Sequence, residues 1–222
     1  MDGLIFLLLI LGLGGLLYFL YRRYDEDGLG LFLVITTVLA FILSLKIGRI
    51  SNFDMMLYVP VYMNIFIVFY ILIEKGYKKN INKYLYLIGL VAIAMVIMFG
   101  FSYCYLTTIS NTVAINVKKL FLGNWLNIVV FPILLIVSVI VSIYLYGYTK
   151  KFFDHIFINS CFAAIVVQLA DSLIIVFLAL GDALSITEVF RVALMTYSFK
   201  LMASILLIPV LYYVLKYKKV KE

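Results

Sequence analysis

The sequence predicts an all-α fold, a polytopic bundle of about seven transmembrane helices, on three observations. Of 222 residues, 66% are hydrophobic and 13% are charged, against roughly 45–50% and 25% in soluble domains, so the chain carries more apolar surface than a globular core can hold. Apolar runs recur at the length of about 20 residues that a helix needs to cross a bilayer. The basic residues stand in short groups beside those runs, so the net charge of +7 reads as membrane topology rather than as a nucleic-acid surface.

The runs cover residues 3–21, 29–45, 55–73, 84–106, 125–146, 156–180 and 192–215. Each reads as a helix, because backbone exposed to lipid must satisfy its own hydrogen bonds and no strand-like alternation is present. The first begins after Asp2, where a signal peptide carries basic residues, and it ends without a small-residue cleavage site, so a retained span is expected. Gly12, Gly14 and Gly15 admit close helix approach there. They follow no strand and precede no Lys-Ser/Thr pair, which argues against a phosphate loop. Lys46 and Arg49 trim the end of the second run. Residues 107–124 are too polar to cross and read as an interfacial helix or a re-entrant cap.

Basic residues sort by side. With the N-terminus outside, the inner loops and tail hold Arg22, Arg23, Lys75, Lys78, Lys79, Lys83, Lys150, Lys151, Lys216, Lys218, Lys219 and Lys221. The outer loops hold Lys46, Arg49, Lys118, Lys119 and Arg191. Twelve against five, with Lys200 inside a span, puts the N-terminus out and the C-terminus in. Six spans with both ends inside stay open if the first run does not cross.

An ionisable side chain within a span costs several kcal/mol unless paired or wetted, so the few present carry most of the functional information. Asp171 lies nine residues before the outer end of the sixth run, and Lys200 nine residues after Arg191. Each is therefore about 13 Å below the same face at 1.5 Å per residue, a depth that permits an ion pair. Asn64 falls at a similar level. Gln168 shares a helical face with Asp171, and Tyr197 and Ser204 do so with Lys200. These six side chains form the expected substrate-binding pocket. The competing reading is an Asp171–Lys200 clip with interhelical hydrogen bonds around it. Glu74, at the inner end of the third run, reads as a gating group or as a solvated interfacial charge.

Conventional catalysis has no support. The single histidine, His155, sits in a basic loop, and there is no HExxH, Gly-x-Ser-x-Gly, Cys-x-x-Cys or Walker motif. Cys104 and Cys161 lie within apolar runs and read as packing residues. Neither a metal nor a cofactor is expected, and an intramembrane aspartyl enzyme would want a second carboxylate at the depth of Asp171.

The segment Val-Gln168-Leu-Ala-Asp171-Ser172 resembles the Gln-x-x-Asp helix of the queuosine precursor transporter family, also called the VUT family. The last run, with Tyr197-Ser-Phe-Lys200 followed by Pro209 and Tyr212, is similar to that family's last helix. Pro60 leading to Glu74-Lys-Gly76-Tyr77-Lys78-Lys79 resembles its helix ending on an acidic residue and a basic turn, with Gly and Tyr in inverted order. Residues 44–49 stand where the family's first helix ends in a polar region. The likeness covers roughly residues 30 to 218. The chain has Tyr70 where the family carries an aspartate, and the uncharged Ser138–Ser142 region where it has an earlier Gln-x-x-Asp-like helix.

What the resemblance implies is a six-helix core over residues 29–218, preceded by an additional N-terminal helix and loop over 1–28 and followed by a basic cytoplasmic tail over 219–222. It also implies import of a 7-deazaguanine across a prokaryotic cytoplasmic membrane. Such a solute is polar at its edge and apolar on its faces, suited to Asp171 and Gln168 at the edge and Tyr197 on a face. Partners are then the lipid bilayer and a small-molecule substrate, with a coupling ion allowed and no nucleic acid. A substrate-binding subunit of an ATP-driven complex and a non-transporting structural membrane protein stay open.

Overall fold

The computed structural model of the chain describes residues 3–44, 47–50, 53–107, 125–181 and 184–216. Among the described residues seven α-helices follow in order: α1 (Gly3–Tyr24), α2 (Glu26–Ser44), α3 (Val59–Glu74), α4 (Ile81–Thr107), α5 (Trp125–Thr149), α6 (Ile156–Leu180) and α7 (Ile186–Lys216). All but α3 are long and apolar enough to span a bilayer. Their outward faces are apolar too: Leu4, Phe19, Leu90 and Ile133 are among many large hydrophobic side chains left exposed. Such a surface is stable against lipid, not water. The protein is a multi-pass membrane protein built as a helical bundle.

The third run differs from expectation. Residues 47–50 and 53–56 form an antiparallel hairpin, β1 (Ile47–Ile50) and β2 (Phe53–Met56), pairing Ile47 with Met56 and Ile50 with Phe53. The span expected to begin at Met55 therefore begins at Val59, and α3 has 16 residues, about 24 Å of helix. Ser51 and Asn52, turn-forming residue types, connect the strands in sequence. The expected 107–124 cap and the tail at 219–222 fall outside the described residues, apart from Thr107, which ends α4.

α3 is the axis of the bundle. Every residue from Val59 to Ile73 is buried, and the helix packs on α1, α2, α5 and α7. Pro60 stands in its first turn, where the missing N–H is no loss. Its C-terminus closes on Gly76, at φ 79°, with Tyr77 N–H donating to the Leu72 carbonyl at 2.9 Å and Gly76 N–H to the Ile73 carbonyl at 3.3 Å. That double closure needs the left-handed conformation glycine adopts freely. Position 76 thus takes glycine and leaves the tyrosine to follow.

α1 and α2 meet at the single residue Asp25, φ 53°. The reversal is so tight that a β-carbon on Gly28 would stand 2.2 Å from the Leu20 carbonyl oxygen. Glu26 then accepts hydrogen bonds from Asn80 and, at 3.0 Å, from Tyr84. Lys75 donates to the Leu215 carbonyl at 3.1 Å, and burial holds its ammonium below the usual lysine range, opposed by the Asp25 carboxylate. These contacts gather the C-terminal ends of α1, α3 and α7 with the N-terminal ends of α2 and α4. Successive helices therefore alternate in direction, and Arg22, Arg23, Lys75, Lys83, Lys150 and Lys216 belong to one end of the bundle.

Candidate functional site: a buried ion pair joining four helices

α6 and α7 are neighbours that pack along their length, which brings two charges of opposite sign together in mid-bundle. Asp171 lies about 23 Å along α6 from Ile156, and Lys200 about 21 Å along α7 from Ile186, at 1.5 Å per residue. The Lys200 ammonium donates to Asp171 Oδ2, and both side chains are sealed, at 0% and 1% exposure. The pair that depth arithmetic permits is therefore present.

The carboxylate ties four helices together. Its other oxygen, Oδ1, accepts from Tyr62 Oη of α3 at 2.9 Å and from Ser138 Oγ of α5 at 2.8 Å. The ammonium lies 5.1 Å from the ring centre of Tyr58 and 4.8 Å from that of Tyr62, within cation–π range. The two tyrosines stand edge to face at 5.1 Å and 79°, and both also meet Phe131 of α5. One turn toward the N-terminal end of α7, Thr196 Oγ1 accepts from the Met56 N–H at 3.4 Å, which ties the end of β2 to this helix.

Several buried polar atoms on the helices that hold the pair have no partner among the described residues: both amide atoms of Gln168, the Tyr58 hydroxyl, Ser172 Oγ and Asn64 Oδ1. Gln168 is 0% exposed. Each unsatisfied group costs about 1–3 kcal/mol. Gln168 lies three residues from Asp171, on the same face of α6. A primary amide has up to four hydrogen-bonding positions. Here both of its polar atoms are left available beside a charged pair.

The expected pocket residues divide. Asp171 and Lys200 meet, and Gln168 is buried one turn from Asp171 on the same face of α6. Tyr197 is half-buried one position round α7 from the buried face of Thr196, Lys200 and Ser204. The aromatic rings at the ammonium are instead Tyr58 and Tyr62. Ser204 Oγ donates to the Lys200 carbonyl at 2.8 Å, and Asn64 Nδ2 to the Pro60 carbonyl at 2.8 Å, so both bond within their own helices. Asn64 sits about 200° from Tyr62 at 100° per residue, on the far side of α3. Its depth is right and its direction is not.

Glu74 is part of a second polar group nearer the basic end. Its Oε1 pairs with Lys150 at 2.9 Å and accepts from Tyr146 Oη at 2.9 Å. Tyr146 stacks on Tyr70 at 4.4 Å and 16°, and Tyr70 Oη shares a hydrogen bond with Ser142 Oγ at 2.7 Å. Position 70, where the resembling family has an aspartate, is thus a neutral stacked group. Tyr58, which caps α3, and Tyr62, Phe66, Tyr70 and Glu74 along it recur every four residues, and their contacts across the bundle are Phe131, Ser142 and Tyr146 of α5 and Lys150 just beyond it. At four residues per step the α3 set follows a ridge that winds about 40° round the helix with each step.

Chemically, the assembly offers a buried, unpartnered amide, a charge pair and two aromatic rings at the ammonium. Comparisons with protein-family models, curated proteins and solved structures give no match for this chain.

Proposed function

We infer that the protein is a membrane transporter for a small polar solute, bound between α3, α5, α6 and α7 at Gln168, Asp171 and Lys200. The observation that carries the reading is the Gln168 amide, wholly buried and without a partner beside the ion pair. A polar solute that leaves water must find replacement hydrogen bonds, and this amide offers them at the depth of the charges. The Lys200–Asp171 bond belongs to a closed form. A solute whose edge donates hydrogen bonds replaces the ammonium at Asp171, and the freed Lys200 turns to acceptors on the same solute or to the rings of Tyr58 and Tyr62.

The likeness of the Gln168-x-x-Asp171 and Tyr197-x-x-Lys200 segments to the queuosine precursor transporter family supports a 7-deazaguanine as that solute. The clustered basic residues at one end support insertion in a cytoplasmic membrane with that end inside, N-terminus out and C-terminus in. A non-transporting, structural role has one observation in its favour: Asp171 is already satisfied by Tyr62, Ser138 and Lys200.

Reconstituted liposomes distinguish the two. Uptake of 7-deazaguanines, with ordinary purines as comparison, is expected to be saturable and to exceed that of protein-free vesicles. Uptake of purines but not 7-deazaguanines removes the substrate assignment alone. No uptake or binding of any of these compounds removes the nucleobase reading and leaves the structural role.

A further inference from the structure

Three spaces follow one another along α4 and α5 and make a furrow: two share their lining, and the third begins one turn further along α5, from Ile140 to Ile143. Its middle is a cavity of about 450 Å³ lined by Asn82, Tyr86, Gly89 and Ile136. It continues toward the outer end as a space of about 270 Å³ that shares Gly89, Ile93 and Ile136 and reaches Ile97 and Pro132. At the basic end a third space of about 360 Å³ opens between Ile81, Ile143 and Gly147, and its rim carries Lys150 and Lys151.

We propose that this furrow is a binding site for one anionic phospholipid of the leaflet at the basic end, with its phosphate at Lys151 and Lys150 and an acyl chain laid over Gly89. Three features select that occupant. Apart from Tyr86, the polar side chains that line the furrow, Asn82, Lys150 and Lys151, stand toward its basic end, the arrangement of a lipid with a charged head. From Asn82 to Ile97 it runs about 22 Å at 1.5 Å per residue, longer than the roughly 15 Å half-thickness of a hydrocarbon core of about 30 Å, so a full chain fits. The mouth has cationic excess: Lys150 is engaged by Glu74, whereas Lys151 is exposed and has no partner among the described residues. Lysine presents a compact point charge suited to a phosphate.

The glycines make the furrow. A β-carbon at Gly89 or Gly147 would meet nothing within 4 Å, so larger side chains there enter the furrow without disturbing the helix contacts.

The test is native mass spectrometry of the delipidated protein with phosphatidylglycerol or phosphatidylcholine of equal chain length added back. One phosphatidylglycerol per chain is expected, bound at least tenfold more tightly than phosphatidylcholine. Lys151→Glu is expected to abolish the headgroup preference, and Gly89→Leu to weaken both lipids, with unchanged helical circular dichroism. Equal binding of the two lipids by the parent overturns the headgroup assignment. Retention of phosphatidylglycerol by Gly89→Leu at the parent's affinity overturns the furrow as its seat. Should Gly89→Leu fail to fold, Gly147→Leu and Lys151→Gln read the same two elements separately. Inorganic phosphate at equal concentration is expected not to compete, and competition would show an ion site without a lipid.

Discussion

Replacing the charges of Asp171 and Lys200 singly and together measures what holds α6 to its neighbours. Lys200→Met keeps the stem volume and leaves the Asp171 carboxylate unpaired, with only the neutral donors Tyr62 and Ser138. Asp171→Asn keeps an acceptor for those donors and leaves the ammonium with the rings of Tyr58 and Tyr62. Removing one partner of a buried pair costs about 3–5 kcal/mol, so additive effects would total about 6–10 kcal/mol. In the double variant no charge is unpaired, and the amide oxygen introduced at position 171 can still accept from Tyr62 and Ser138. Its remaining fault is one amide N–H facing the new thioether side chain, worth about 1–3 kcal/mol. The expected coupling is therefore about 3–9 kcal/mol, far beyond the few tenths by which independent sites deviate from additivity. Reversible unfolding in mixed micelles, followed by circular dichroism, gives all four corners. A double variant as unstable as the sum of the singles would refute the pair.

Other perturbations test the frame around it. A cytoplasm-active reporter fused after Glu222 is expected to be active and one placed between residues 181 and 188 silent; the reverse pattern would invert the orientation. Gly28→Ala is expected to lower the unfolding midpoint despite the roughly 1 kcal/mol that alanine gains over glycine in a helix, because its β-carbon would meet the Leu20 carbonyl. Gly12→Ala, where a β-carbon meets nothing within 4 Å, is expected to be neutral or stabilising. Equal midpoint shifts in the two variants would show that the α1–α2 reversal is looser than described.

Span positions were legible because a bilayer imposes length: α6 occupies residues 156–180, as its apolar run predicts. Counting residues along two antiparallel helices put Asp171 and Lys200 at one depth and so permitted their meeting, which the structure shows. Helix rotation was not legible. A membrane helix is apolar toward lipid and toward its neighbours alike, so the periodicity that orients a soluble helix is weak. For that reason Tyr197 and Thr196, one position apart, could not be told apart as the inward residue, and Asn64 was placed by depth on the wrong side of α3. Ser138 stood out only as part of an uncharged region, and Tyr58 and Tyr62, neutral and common in such helices, did not stand out. Their four-residue recurrence with Phe66 and Tyr70, and that of Ser138 with Ser142, was the available signal. The hairpin was hidden because Lys46, Arg49 and Asp54 read simply as the polar end of a span.

The most direct measurement on the proposed site is Gln168→Leu, scored for stability and ligand binding together. The amide atoms have no partner to lose, so their removal at similar volume is expected to leave the unfolding midpoint unchanged or raise it, by up to about 1–3 kcal/mol per orphaned atom. Binding of the nucleobase or 7-deazaguanine taken up by the parent is expected to fall at least tenfold, with normal production and an intact Asp171–Lys200 pair. A variant that folds at the parent's level and binds that compound with the parent's affinity would contradict a solute site at Gln168.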